Sequence, residues 1–170
     1  MNFSRKDLVQ TDATMNQMRN SIHIIASLME NNGVTDLEQK LREMGRNIAK
    51  TYIRYWKPID IVNISNLKDV ITTIYQKILN SSVSIDIIEV DKLVKVRDHN
   101  CALCKYHYED IEIAGCEIIM GMVSEIINLI NKESNEISSV FFKPFKVEES
   151  RAYGNKACIQ VYKYKIGGNI

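Results

Sequence analysis

The residues able to do chemistry are few, and of the seven cysteines and histidines five lie in the stretch from His99 to Cys116. The run His99-x-Cys101-x-x-Cys104-x-x-His107 sets two thiols at the spacing from which a tight turn chelates one zinc ion, a histidine or a remote cysteine completing the tetrahedron. Cys116 and Cys158 can be brought to that turn by folding and make a four-cysteine set, Cys101, Cys104, Cys116 and Cys158, with His99 and His107 as alternative ligands. Such a site has no open position for substrate, so its role would be structural. The other reading takes the thiols as small buried residues of an apolar helix and strand. A thioredoxin-like redox pair needs a βαβ unit with a helix starting at the first thiol, and the surrounding pattern is antiparallel. A cysteine nucleophile with His99 or His107 as base has no oxyanion-hole motif beside it. The neighbouring carboxylates Glu148 and Glu149, or Asp110 and Glu112, lie at element ends and form no acid/base dyad. The expectation is a chain that is not an enzyme.

A second feature is the row Arg42, Arg46, Lys50, Arg54 and Lys57, spaced to form one stripe of a helix. It can meet an acidic partner or lipid headgroups, or be a solvated face that Glu38 and Glu43 partly neutralise. No aromatic side chains are interleaved with these cations, so nucleic acid is not the expected partner. Phe141, Phe142, Phe145, Tyr153, Tyr162 and Tyr164 can stack on a flat ligand, line a partner surface or pack a core. His23 lies in an apolar-periodic helix and reads as a packed or solvated residue.

The 170 residues suit one domain over 1–170, and 45% hydrophobic with 25% charged is the balance of a folded globular protein. A net charge of +1 supplies no global field toward nucleic acid or an anionic membrane. The N-terminus has no signal-peptide pattern and no run approaches the ~20 apolar residues of a transmembrane segment, so a cytoplasmic location with reduced thiols is expected.

Three helices lead the chain. Met15, Met18, Ile22, Ile25 and Met29 mark one face of the first, ended by Gly33. Thr35 to Glu38 fits a capping box opening the second, whose apolar side is Leu37, Leu41, Met44, Ile48, Tyr52 and Tyr55, with Pro58 as its stop. Ser65 is the expected cap of the third, which carries Leu67, Val70, Ile74 and Ile78. Alternation then changes to strands at Val83, Ile85 and Ile87 and at Val94 and Val96, joined by a turn at Asp91-Lys92. From about Asp110 to Lys132 runs a helix apolar over most of its circumference, which must be central. Ser139 to Glu149 and Ala157 to Ile166 are the last strands, around a turn at Gly154-Asn155, with Pro144 marking an edge or a bulge. The order implies an α+β fold: N-terminal helices, then a β-β-α-β-β unit whose four-stranded antiparallel sheet packs against helices.

Leu37 to Ala49, with Met44-Gly45-Arg46-Asn47-Ile48, resembles the second helix of TRAPP (transport protein particle) subunits, and Asp69-Val70-Ile71 suits their third. Gly45 there permits close helix packing despite costing about 1 kcal/mol of helix propensity. Cys101-Ala102-Leu103-Cys104, Cys116-Glu117 with Gly121, and Glu149 to Cys158 around a Gly-Asn turn resemble the related 4-vinyl reductase domain. The resemblance implies a simple prokaryotic or archaeal homologue of the TRAPP fold. Its function would be that of a non-enzymatic, dimerising scaffold for tethering in vesicle trafficking, peripheral at membranes. Its partners would be a second copy, other TRAPP-like subunits or a small GTPase. The alternative is a sensor holding a hydrophobic ligand or lipid between helices and sheet, with structural zinc. Asp60 to Ile64 contains no cysteine, which excludes acylation at the place where the acylated TRAPP member carries one. Ser150 stands where the 4-vinyl reductase pattern has a further cysteine. The homodimer is expected to form through Met18, Ile22, Ile25 and Met29, and Arg42, Arg46, Lys50 and Arg54 to face a partner.

Overall fold

Each change of periodicity in the sequence becomes a change of element. The computed structural model describes residues 5–107, 113–132 and 138–167, and of residues 5–9 and 11 the helical backbone alone. Helices α1 (Arg5–Asn31), α2 (Leu37–Tyr52) and α3 (Leu67–Ile78) precede strands β1 (Val83–Ile88) and β2 (Leu93–Asp98). Helix α4 (Cys116–Lys132) and strands β3 (Val140–Glu149) and β4 (Cys158–Ile166) follow, with a single 3-10 turn at Arg151–Tyr153 between the last two. The sheet is antiparallel in the order β1-β2-β4-β3. This is the α+β arrangement expected.

The sheet buries Ile85, Val94 and Val96 by alternation, and α3 lays Val70, Ile71, Ile74 and Tyr75 into the same core. Pro144 is explained twice over: β3 is an edge strand, and its register with β4 shifts between Pro144 and Lys146. Helix α4 is central because both its sides are used. Toward the sheet, Asn128 bonds the backbone of Phe142 in both directions, at 2.7 and 2.8 Å, satisfying a strand edge that would otherwise lack partners. Asn131 does the same for Val62 N–H and for the carbonyls of Val62 and Val140. On its other side α4 meets α2 backbone to backbone. A Cβ on Gly45 would fall on the carbonyl oxygen of Ile118, and one on Gly121 on that of Arg42. The Gly45 expectation of close helix packing is thus met by a reciprocal glycine on the partner helix.

Helix boundaries depart from the expectations in instructive ways. The capping box at Thr35–Glu38 does not form; Asp36 stands at the N-cap without a side-chain cap bond and pairs with Lys40 at 3.2 Å. Ser65 does not cap α3, because Asn63 Oδ1 accepts from the N–H groups of Ser65 and Asn66 and turns the chain first. Helix α2 ends at Tyr52, well before Pro58, in turns that return Tyr55 and Trp56 N–H to the Tyr52 carbonyl. The helix expected from about Asp110 begins at Cys116, and Asp110 to Glu112 lie outside the described residues. Gly33 does end the first helix, in the left-handed region at φ +78°, with its N–H on Glu30 and that of Val34 on Met29.

The largest correction concerns which side of α2 faces inward beyond Leu41. Helix α2 buries Leu37, Leu41, Gly45 and Ala49, and leaves Met44, Ile48 and Tyr52 exposed with Tyr55 beyond them. Helix α1 buries Arg19, His23 and Ala26, and exposes Met18, Ile24, Ile25 and Leu28. On α2 the close crossing with α4 draws Gly45 and Ala49 inward in line with Leu37 and Leu41, and leaves Met44 and Ile48 outward. Of the expected interface set, Ile22 and Met29 are half-buried against Ala26, Leu37, Leu41 and Ile118 of their own chain, while Met18 and Ile25 face outward.

Candidate functional site

Three of the four thiols are brought together by sheet register. Asp98, the last residue of β2, is paired with Cys158, the first of β4, so the turn that follows β2 delivers Cys101 and Cys104 beside Cys158. Asp98 anchors that turn, its Oδ1 accepting from Ser81 Oγ at 2.5 Å and Asn100 N–H at 2.9 Å. Burial holds its carboxyl above the usual range, and these bonds offset part of that effect. The sulfurs of Cys101, Cys104 and Cys158 lie within 4.8 Å of one another, all buried. Cys116, at the first turn of α4, is buried as well and adjoins Cys104 and Cys158.

The electrostatics single out Cys158. Hydrogen bonds from Cys101, Cys104 and Cys116, in that order, hold its thiol far below the ordinary cysteine range, and Arg151 N–H adds a further one at 3.4 Å. Cys101 is pushed up, first by its hydrogen bond with Cys104, and Cys116 likewise by Cys104. Buried sulfurs gathered in this way form a soft, all-sulfur donor set, the type that suits tetrahedral zinc. Ser150 belongs to the same surroundings: its Oγ is 3.7 Å from Cys158 Sγ and 4.0 Å from Cys116 Sγ, and it accepts from Ala152 N–H. Cys116 approaches from the helix on the other side of that serine. His99 and His107 are exposed and outside the sulfur group, and the His107 ring rests near Gly154, 3.6 Å from where a Cβ would stand.

The remaining predicted site residues divide. Arg42 is withdrawn from the cationic stripe: its side chain is 11% exposed, Nε bonds Glu117 at 2.6 Å, and Nη2 meets Glu38 and the Phe145 carbonyl. Close approach of α2 to α4 is what carries it inside. Arg46 is half-buried, while Lys50 and Arg54 are exposed as expected. Desolvation raises the Glu117 carboxyl, the ion pair with Arg42 counteracting it. The aromatic set is not one ligand platform. Phe142 and Tyr162 stack inside the core at 4.6 Å, Tyr164 is buried, and Phe145 lies exposed beneath Lys163. His23 is packed, its Nε2 3.2 Å from the Leu103 carbonyl. Glu148 is engaged by Lys95 and Lys146.

Residues the sequence reading did not single out surround a cleft of about 530 Å³ between α1, α2, α4 and the cysteine turn. Met15, Ile48, Leu79, Ile118 and Met122 give it apolar walls, and Arg19 and Lys105 stand among the lining residues. Its walls come from five separate stretches of chain, which no local pattern could have linked. No helix among the described residues is long and apolar enough to cross a membrane.

No family model matches the chain, and no curated protein matches it. Among solved structures, its fold is similar to that of trafficking protein particle complex subunit 3 from Naegleria fowleri, in a crystal structure with palmitic acid covalently bound. That likeness has a TM-score of 0.64 at 11% identity and takes in 94% of this chain and 99% of the other. The fold of this chain is therefore that of a TRAPP subunit along nearly its whole length.

Proposed function

We propose that this chain is a non-catalytic assembly subunit of TRAPP-like tethering scaffolds, pairing with a second copy through the outer faces of α1 and α2. The observation that carries the reading is the set of large apolar side chains exposed on and just beyond these two helices. Ile24 is 67%, Leu28 60% and Tyr55 86% exposed, beside Met18, Ile25, Met44, Ile48 and Tyr52. A soluble chain with large apolar side chains outward on two adjacent helices has a surface to cover, and two-fold self-association covers it with one gene product. The cations left for further subunits or a small GTPase are Arg46, Lys50 and Arg54. Sedimentation equilibrium of wild type and Ile25→Asp tests the pairing: dimeric wild type and monomeric variant are expected, and a monomeric wild type rejects it.

The same reading includes one structural zinc held by Cys101, Cys104, Cys116 and Cys158. Four buried sulfurs from a turn, a helix start and a strand start would be tied by one ion, and binding free energy would become folding free energy. Native mass spectrometry is expected to find one zinc per chain, and Cys101→Ser to lose the zinc and lower Tm. Protein purified without chelators that holds far less than one zinc rejects the site.

The cleft beside the cysteine turn favours a second reading, a sensor for a hydrophobic ligand. Its apolar walls and the cations Arg19 and Lys105 suit an amphiphile with an acidic head. The palmitic acid of the structural neighbour is attached covalently, and Asp60 to Ile64 of this chain offers no cysteine for acylation in that segment. Co-purified lipid in the same spectra would favour this reading over assembly alone.

A further inference from the structure

Helix α1 is attached to the rest of the chain in an unusual way. Among its described side chains Ala26 is the one buried hydrophobic residue, so apolar burial alone holds it weakly. Its polar residues Asp12, Asn16, Arg19 and His23 recur at steps of four, three and four and make a single stripe. All four reach the cysteine turn. Lys105 pairs with Asp12 at 3.2 Å, Tyr106 hydroxyl donates to Asn16 at 3.1 Å, Arg19 Nε donates to the Ala102 carbonyl at 2.5 Å, and His23 Nε2 lies 3.2 Å from the Leu103 carbonyl.

Ala102 and Leu103 are the two residues between the chelating thiols Cys101 and Cys104. Their carbonyls point at α1 only while the turn keeps its shape; Asp98 anchors its start, and a metal held by both thiols would fix the segment between them. A zinc ion with four thiolates also carries net negative charge, which favours the nearly buried Arg19 guanidinium above it. We infer that metal occupancy of the four-cysteine knot governs the docking of α1, and through α1 the exposed apolar face used for assembly. The inference rests on the zinc reading given under Proposed function. In it the metal does more than stabilise: its loss releases one helix from an otherwise folded chain, because α2, α4 and the sheet are joined by the glycine crossing and the asparagine bonds, none of which touches the turn.

Hydrogen–deuterium exchange of the full chain, zinc-loaded, stripped by a chelator under reducing conditions, and reloaded with zinc alone, tests it, with native mass spectra of each sample reporting zinc. Stripping should raise exchange in α1 and in residues 101–106 by about tenfold or more, the effect of losing one to two net hydrogen bonds. Protection of α2, α4 and β4 should change little, and reloading should restore α1. Zinc-loaded Arg19→Met should show raised exchange in α1 while keeping its zinc. If the protein as purified holds no zinc, the zinc reading itself falls. If zinc is present but its removal leaves α1 unchanged, or raises exchange uniformly across α2, α4 and β4, the zinc site stands and its control of α1 is overturned.

Discussion

Helices α4 and α1 are both rich in large apolar residues, yet one is the centre of the molecule and the other its outer edge. Helix α4 buries Ile118, Ile119, Met120, Met122, Val123, Ile126, Ile127 and Ile130 between α2 and the sheet. Helix α1 turns Ile24, Ile25 and Leu28 to solvent and rests on polar contacts with a turn. The difference lies in the partner surfaces. Helix α4 has Gly121 where α2 has Gly45, so two backbones touch and every neighbouring side chain is drawn in. No such crossing joins α1 to α2; they share a small cluster of Ala26, Leu37 and Leu41 with Ile118. Apolar content alone therefore does not say whether a helix is core or interface. The side chains of the helix it meets decide.

The contrast is broken most directly at the crossing. Gly121→Val places side-chain atoms on the Arg42 carbonyl, and because the obstacle is backbone, the helices must separate. The loss should exceed the ~1–3 kcal/mol of ordinary overpacking and abolish cooperative thermal unfolding. A variant that melts within a few degrees of wild type would show that α2 and α4 do not cross so closely. Arg42→Ala comes next, leaving the Glu117 carboxylate buried without its cation at a cost of about 3–5 kcal/mol by chemical denaturation. The double variant Arg42→Met, Glu117→Met should recover much of that loss, since the cost is chiefly an unpaired buried charge.

On α1 the same kind of apolar deletion should do little to the monomer. Ile24→Ser is expected to shift unfolding free energy by no more than ~0.5 kcal/mol once association is accounted for, while weakening self-association. A loss comparable to that of a core residue would mean that α1 buries this face within its own chain. The smallest effect belongs to the sheet surface, where the Lys95 hydrogen bond, followed by Lys146, holds the Glu148 carboxyl below its ordinary value of 4.5. A depressed folded-state value stabilises above the unfolded pKa and is lost as pH falls through the folded one. Glu148→Gln should therefore cost about 0.2–1 kcal/mol at pH 7 and nothing once wild type is also protonated, read from denaturation midpoints between pH 7 and pH 3.

Much of the fold was legible before any coordinates, because the relevant physics is local. Period two at Val83, Ile85 and Ile87, the all-round apolarity after Cys116, and Pro144 each implied an element or an edge, and each is found. The Cys101–Cys104 spacing and the closeness required at Gly45 were equally local. Tertiary structure alone decided the rest. Whether Cys116 and Cys158 reach the turn depends on the pairing of Asp98 with Cys158 and on where α4 starts. Whether Arg42 is a partner contact or an inward ion pair depends on a glutamate seventy-five residues away. The Ser65 cap failed where Asn63, a side chain just upstream, offered the backbone a tighter turn. The inward face of α2 was legible in part: Leu37 and Leu41 are buried where periodicity placed them, whereas close backbone contact at Gly45 and Gly121 brings Gly45 and Ala49 inward in place of Met44 and Ile48.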